Sequence, residues 1–95
     1  MTPSINAVGF TLKESQSEMI ETKLKRISYA DDLIIDLLLK IKHEKIFSFG
    51  ATCNFKWGAS ATVSTENEDF AAGLNILIDM LDAKVTKEKE KVQNR

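Results

Sequence analysis

The sequence has 95 residues, of which 43% are hydrophobic and 28% charged, and its 13 Lys and Arg against 14 Asp and Glu give a formal net charge of −1. This length suits one small domain, and the balanced charge excludes a protein that coats nucleic acid through bulk positive charge. The longest apolar runs, 33–39 and 74–81, fall short of the roughly 20 residues that a membrane span needs, so we expect no membrane protein. Cys53 is the only cysteine and no signal-like segment opens the chain, which favours a reducing cytoplasm.

The first third of the chain predicts a strand followed by a helix. Residues 5–10 form a short apolar run with β-branched members, which is typical of a strand. Thr11 and Glu14 then have the spacing of a capping box at a helix start. Apolar residues recur at the spacing of one helical face: Ile20, Leu24 and Ile27. We expect this helix to end near Ser28, because residues 29–32 interrupt the pattern.

Two runs of alternating residues predict long strands. Apolar residues occupy the odd positions from Leu33 to Ile41 and again from Phe47 to Trp57. Short connections at 44–46 and at Gly58 join these runs and residues 60–65 into an antiparallel meander. We expect the odd positions to face the helices, which leaves Ile34 and Leu38 as apolar exceptions on the opposite face.

A long helix is predicted for the last third of the chain. Thr65 and Glu68 have a second capping-box spacing, and residues 66–82 carry five acids and no base. The expected apolar stripe comprises Leu74, Leu77, Leu81, Val85 and Val92. The whole order is β-α-β-β-β-α. We therefore expect an α+β domain in which a four-stranded sheet carries two helices on one face, with the first strand beside the first strand of the meander.

Residues that could support catalysis or bind a metal are sparse. His43 is the only histidine, no serine or cysteine has the context of a catalytic triad, and His43 and Cys53 lack zinc-ligand spacing. We expect no enzyme, no cofactor and no metal site, with Cys53 in the core and His43 at the sheet rim. The alternation also favours core positions over stacking on RNA bases for four aromatic residues: Phe47, Phe49, Phe55 and Trp57.

Basic residues on the two helices are the remaining candidates. Lys23 and Arg26 are one turn apart on the first helix. The last helix has Lys84, Lys87 and Lys91 on one face, which extends back through Met80 and Ile76. Packing of both helices on one side of the sheet predicts a single patch of five positive charges. The spacing is equally consistent with a solvated face whose lysines complement a helix C-terminus.

Four segments resemble the ribosome hibernation-promoting factor family, also called ribosome-associated inhibitors or ribosomal subunit interface proteins. The opening matches as Ile5-x-x-x-x-Phe10-x-Leu12, the first helix as Lys23-Leu24-x-Arg26-Ile27, and the long strand as Ile41-Lys42-x-Glu44-Lys45. The most specific match is Glu66-x-x-Asp69-Phe70-x-Ala72-Gly73-Leu74-Asn75-x-Leu77-Ile78-Asp79-x-Leu81, followed by Lys87-x-Lys89.

The resemblance implies a non-enzymatic protein that binds the small ribosomal subunit in the channel for messenger and transfer RNA. It would silence translation under starvation or in stationary phase, with ribosomal RNA as its partner and no small-molecule substrate. The chain looks like the short form of the family, which would need another factor to pair ribosomes.

The family pattern also implies which residues contact RNA phosphates. Four residues match the basic positions of the family pattern directly: Lys23, Arg26, Lys87 and Lys89. Lys84 and Lys91 are added because they share one face of the last helix with Lys87. Lys40, Lys42 and Lys45 join them as basic residues of the long strand.

The last helix is less basic than the family pattern at three positions: Met80, Ala83 and Glu88. Two other interpretations therefore stay open. One is a protein-interaction module that has diverged from this family and self-associates weakly through Met80 and Ile76. The other is a double-stranded RNA-binding domain, which has a related α-β-β-β-α layout.

Overall fold

Four strands and two helices follow one another in the predicted order. The computed structural model describes residues 3–93, and its elements are β1 Pro3–Val8, α1 Glu14–Leu24, a 3₁₀ segment Lys25–Leu33, β2 Ile34–His43, β3 Phe47–Phe55, β4 Ser60–Asn67 and α2 Phe70–Gln93. The predicted β-α-β-β-β-α order and the α+β class are confirmed.

The strands form one mixed sheet in the order β1-β2-β3-β4. β1 runs parallel to β2, with Ile5 beside Leu39. β2, β3 and β4 form an antiparallel meander, in which Ala51 pairs with Leu39 on one side and with Val63 on the other. The predicted meander and the predicted pairing of the first strand are therefore both confirmed.

The core lies between one face of the sheet and the two helices. Odd-numbered residues are buried from Leu37 to Ile41 in β2 and from Phe49 to Phe55 in β3. Apolar side chains of α1, the 3₁₀ segment and α2 pack in the same cluster: Ile20, Leu24, Ile27, Ala30, Leu74, Leu77, Ile78, Leu81 and Val85. Burial of such side chains, at about 1.5–3 kcal/mol each, drives folding. Apart from Ile34, even-numbered strand positions form the opposite side of the sheet, the open face, which no element within residues 3–93 covers.

The predicted alternation of buried and exposed residues is wrong at the start of β2. Ile34 is only 3% exposed, whereas Ile35 is 59% exposed, which reverses the expected order. The cause is an irregularity in the pairing with β3, because Ile34 lies opposite Phe55 and Asp36 lies opposite Asn54. One extra residue in a strand switches the side that later residues face. Leu38, beyond the irregularity, is exposed on the open face as predicted.

Neither predicted capping box forms. α1 begins at Glu14 instead of following a Thr11 cap, and the Lys13 backbone N–H donates to Gln16 Oε1 at 2.9 Å. The regular α-helix also ends at Leu24, earlier than expected, and continues as the tighter 3₁₀ segment.

The second helix starts later than predicted because β4 extends through Thr65 to Asn67. Thr65 pairs with Phe49 in the sheet, so it cannot act as a helix cap. Asp69 caps α2 instead, because its Oδ2 accepts a hydrogen bond from the Ala72 N–H at 2.9 Å. Val92, the last member of the predicted stripe, has a side chain outside the described part of the structure.

The aromatic residues divide between core and rim. Phe49 and Phe55 are buried as predicted, and Phe47 is partly buried at the edge of the core. The predicted core position of Trp57 is wrong, because this residue lies beyond the end of β3 and is 37% exposed. Its ring stacks on Phe55 at 4.9 Å between ring centroids. His43 lies at the rim, stacked on Phe47 at 4.1 Å.

Candidate nucleic-acid interface

The basic residues of the sheet lie apart from those of the helices. Lys40 and Lys42 are exposed at even positions of β2, on the open face, and Lys45 lies in the turn that follows β2. Lys42 Nζ is 2.9 Å from Glu44 Oε1, which partly neutralises its charge. The structure thus does not bring Lys40 and Lys42 onto the surface that the helices present.

One flank of α2 faces the edge strand β4, and we call it the β4 flank. Lys84 and Lys87 are exposed there, next to Met80 and Ala83. Together with Val63 of β4, these residues line a shallow groove of about 330 Å³. Neither lysine makes an ion pair within residues 3–93. The β4 flank therefore presents two uncompensated cations beside exposed apolar surface.

Lys91 follows Lys87 by one turn of α2. It is exposed, and its Nζ is 3.5 Å from Glu88 Oε1, one turn earlier on the same helix. The Lys91 side chain is 62% exposed, so solvent screens this pair and its contribution to stability is small. Lys91 remains available to an external anion.

The other flank of α2 faces α1 and the 3₁₀ segment, and we call it the α1 flank. Arg26 extends from the 3₁₀ segment to this flank and meets two carboxylates of α2. Its Nη1 is 2.7 Å from Asp79 Oδ1, and its Nη2 is 3.7 Å from Asp82 Oδ2. The guanidinium fork thus bridges two acids that are three residues apart on one helical face.

Tyr29 ties the 3₁₀ segment to the same flank. Its hydroxyl donates to Asp82 Oδ1 at 2.5 Å, and the Thr86 hydroxyl at 2.8 Å then donates to the tyrosine oxygen. Partial burial and the hydrogen bond to Asp82 raise the pKa of Tyr29 above its usual value of 10.0. Lys89 Nζ lies 5.1 Å from the ring centroid, within the range of a cation–π contact.

The five residues of the predicted patch form two groups in the structure. Lys84 and Lys87 lie on the β4 flank, whereas Arg26 lies on the α1 flank, with the body of α2 between them. Lys23 is half-buried one turn before Arg26. Sequence spacing identifies the residues that share a face of one helix, but the side on which α1 packs against α2 depends on the tertiary structure.

Sequence reasoning missed the acidic and aromatic members of the α1 flank. The sequence places Tyr29 in the segment that interrupts the helix pattern and Asp79 and Asp82 in an acidic stretch, and it identifies none of the three as a candidate site residue. A signal was present, because Asp79, Asp82, Thr86 and Lys89 recur at helical spacing. Their contact with residues more than 50 positions earlier could not be read from that spacing.

The described residues offer little for catalysis. No group of three or more His, Cys, Asp and Glu side chains within residues 3–93 is placed to hold a metal ion. Cys53 is buried in the core as predicted, and burial, followed by the nearby charge of Asp36, raises the pKa of its thiol to about 11. The thiol is therefore protonated at neutral pH and a poor nucleophile. Across the same residues, no helix combines the length and apolar character needed to cross a membrane.

Comparison with known families gives a match that covers nearly the whole chain. The family described as Sigma 54 modulation protein / S30EA ribosomal protein matches residues 4–93. No curated protein sequence matches the chain significantly.

Solved structures share the fold at low sequence identity. A ribosomal subunit interface protein from Coxiella burnetii superposes with a TM-score of 0.85 at 20% identity, covering 95% of this chain and 99% of that one. The N-terminal domain of Protein Y from Thermus thermophilus superposes with a TM-score of 0.77 at 15% identity, covering 88% and 93%.

Proposed function

Because this chain belongs to the Sigma 54 modulation protein / S30EA ribosomal protein family, we propose that it is a ribosome-associated translation inhibitor. It binds the small ribosomal subunit in the channel that holds messenger and transfer RNA, and silences translation in starved or stationary cells by occupying that space. It acts in the cytoplasm as a single domain, without a cofactor and without catalysing a reaction. Its binding partner is the RNA of the small subunit.

The observation that carries this proposal is the family match over residues 4–93, which includes both helices and all four strands. The likeness in fold to a protein described as a ribosomal subunit interface protein is consistent with it. A folded domain suits inhibition by occupation, because a preorganised binding surface loses less conformational entropy when it binds than a disordered segment does.

Phosphate contacts are assigned to the basic residues of the helices. Lys84 and Lys87 are the strongest candidates, because they are exposed and make no ion pair within the described residues. Each lysine that neutralises a phosphate releases condensed counterions, so binding weakens as salt rises. The remaining helix candidates are Lys23, Arg26, Lys89 and Lys91.

The test is sedimentation of the protein with purified small ribosomal subunits over a series of salt concentrations. We expect Lys84→Glu/Lys87→Glu to weaken binding strongly at low salt. If both contacts are lost, the slope of log K against log salt should become shallower by about 1.4–1.8. A matched control is Lys25→Glu/Lys56→Glu, which changes the net charge equally at exposed lysines that the proposal does not use.

Three outcomes separate the possibilities. A loss confined to Lys84→Glu/Lys87→Glu supports an RNA-binding β4 flank, and equal losses in both double variants would mean that only net charge matters. A third variant, Lys40→Glu, tests the open face: nearly wild-type binding would confine the phosphate contacts to the helices, and a loss would extend them to β2. Failure of the wild-type protein to sediment with small subunits at low salt would refute the proposal.

Weak self-association is a second candidate, because of exposed apolar groups on α2. Ile76 is 42% exposed and Met80 36% exposed, and Met80 borders the groove beside the edge strand β4. Sedimentation equilibrium at high protein concentration tests it. A monomer in both the wild type and Met80→Ser would refute self-association, whereas a dimer in the wild type alone would support it.

A further inference from the structure

The positive charge of the α1 flank is largely compensated within the molecule. Arg26 has both terminal nitrogens directed at carboxylates, at 2.7 Å from Asp79 and 3.7 Å from Asp82. Lys89, on the same flank, lies over the ring of Tyr29. The β4 flank differs, because Lys84 and Lys87 have no such partners within residues 3–93.

These ion pairs are open to exchange. The Arg26 side chain is 43% exposed and that of Asp79 is 63% exposed, so water and ions reach the contact. Exposed pairs of this kind contribute little to stability and are screened by salt. A backbone phosphate offers Arg26 two oxygens for the same two-point contact that the two carboxylates make, and it carries one negative charge, as each carboxylate does.

We propose that Asp79 and Asp82 compete with RNA phosphate for Arg26, so that the α1 flank is masked in the free protein. RNA binding then requires Arg26 to exchange the carboxylates for phosphate, while the lysines of the β4 flank bind without such an exchange. This inference rests on the proposed function, because it explains what limits the strength of RNA binding at the same surface. Asp79 and Asp82 act through Arg26 and are positioning residues.

The two acids differ in how firmly they are held. Asp82 accepts the hydroxyl of Tyr29 at 2.5 Å in addition to its contact with Arg26. Asp79 contacts Arg26, and among the hydrogen bonds and ion pairs within residues 3–93 its side chain makes no other. Asp79→Asn therefore removes one of the two competing charges with the least change to the packing of the 3₁₀ segment, and it is the cleaner variant for a test.

The experiment measures binding of the purified protein to small ribosomal subunits and, separately, to inorganic polyphosphate. We expect Asp79→Asn to tighten both interactions by about 1.4- to 5-fold, the range that corresponds to loss of one exposed ion pair. The matched control is Asp32→Asn, which removes one negative charge from an exposed aspartate that makes no ion pair in the described structure. It should change binding less than Asp79→Asn does.

A double-mutant cycle identifies the partner of Asp79. In an Arg26→Gln background, Asp79→Asn should give no further gain, because the group that it competes for is absent. A gain that persists in that background, or an equal gain from Asp32→Asn, would overturn the inference. If neither wild type nor variant binds small subunits, the proposed function fails, but the polyphosphate measurement still decides whether Asp79 competes for Arg26.

Discussion

Replacing Gly73 with alanine should destabilise the protein, although alanine normally favours a helix more than glycine does. Gly73 is buried within α2, at the point where the helix crosses β3. A Cβ atom at this position would overlap Phe49 Cε1 and lie 2.8 Å from its Cζ and 3.0 Å from Asn67 Cβ. The ring cannot easily move away, because Phe49 is 2% exposed and packs between Phe47 and Phe70 at centroid distances of 6.1 and 5.7 Å.

The magnitude follows from two opposing terms. Helix propensity favours alanine over glycine by about 1 kcal/mol. Overpacking of a dense core typically costs about 1–3 kcal/mol, and contact with a confined aromatic ring corresponds to the upper part of that range. We therefore expect a net loss of about 1–2 kcal/mol, which for a domain of this size lowers the Tm by about 4–16 °C.

Urea unfolding, monitored by circular dichroism, measures the difference. Gly50→Ala is the matched control, because a Cβ at Gly50 meets no atom within 4 Å, and this variant should be as stable as wild type or up to about 1 kcal/mol more stable. Phe49→Leu should cost less in the Gly73→Ala background than in wild type, since it relieves the overlap. A Gly73→Ala variant at least as stable as wild type would refute the reasoning.

Three further predictions concern side chains that stabilise the fold. Asp69→Ala removes the cap of α2 and should cost about 1 kcal/mol in thermal unfolding, so an unchanged Tm would contradict the assigned cap. Tyr29→Phe removes the hydroxyl that bonds both Asp82 and Thr86 and should cost about 0.5–1 kcal/mol in urea, with a smaller loss in an Asp82→Ala background, where only the Thr86 contact remains. The pKa of Cys53 is raised in the folded state from 9.0 to about 11, so wild-type stability should fall as pH rises from about 9 to 11, and Cys53→Ala should flatten that fall. An identical alkaline profile for both proteins would count against a buried thiol.

The sequence predicted the strands best where apolar and polar residues alternate without ambiguity. In β3, Phe49, Cys53 and Phe55 fall on one face and smaller or polar residues on the other, and the structure follows this pattern. The start of β2 has apolar residues at both odd and even positions, so the sequence did not reveal which of Ile34 and Ile35 is buried. The irregularity opposite β3 decides it, and that feature depends on strand pairing.

The predicted start of the second helix is wrong for a related reason. Thr65 has the residue type and spacing of a cap, but in the structure its backbone pairs with β3. Ladder hydrogen bonds with a neighbouring strand satisfy more backbone groups than a single cap does, so the strand continues and Asp69 takes the capping role. Local sequence signals cannot weigh these two alternatives.

The sequence indicated which basic residues belong to the candidate interface, but it did not indicate which of them form ion pairs with acidic residues. Lys84 and Lys87 were expected on one helix face, and the structure places both on the β4 flank. The neutralisation of Arg26 by Asp79 and Asp82 joins residues that are more than 50 positions apart. It arises only when α2 packs beside the 3₁₀ segment, so no spacing rule within one helix could have predicted it.

We propose that this protein occupies the messenger and transfer RNA channel of the small subunit. The most direct measurement compares its sedimentation with vacant small subunits and with small subunits preloaded with messenger and transfer RNA, at one low salt concentration. We expect binding to vacant subunits and exclusion from loaded ones. Equal binding to both, or no binding to either, would contradict the claim.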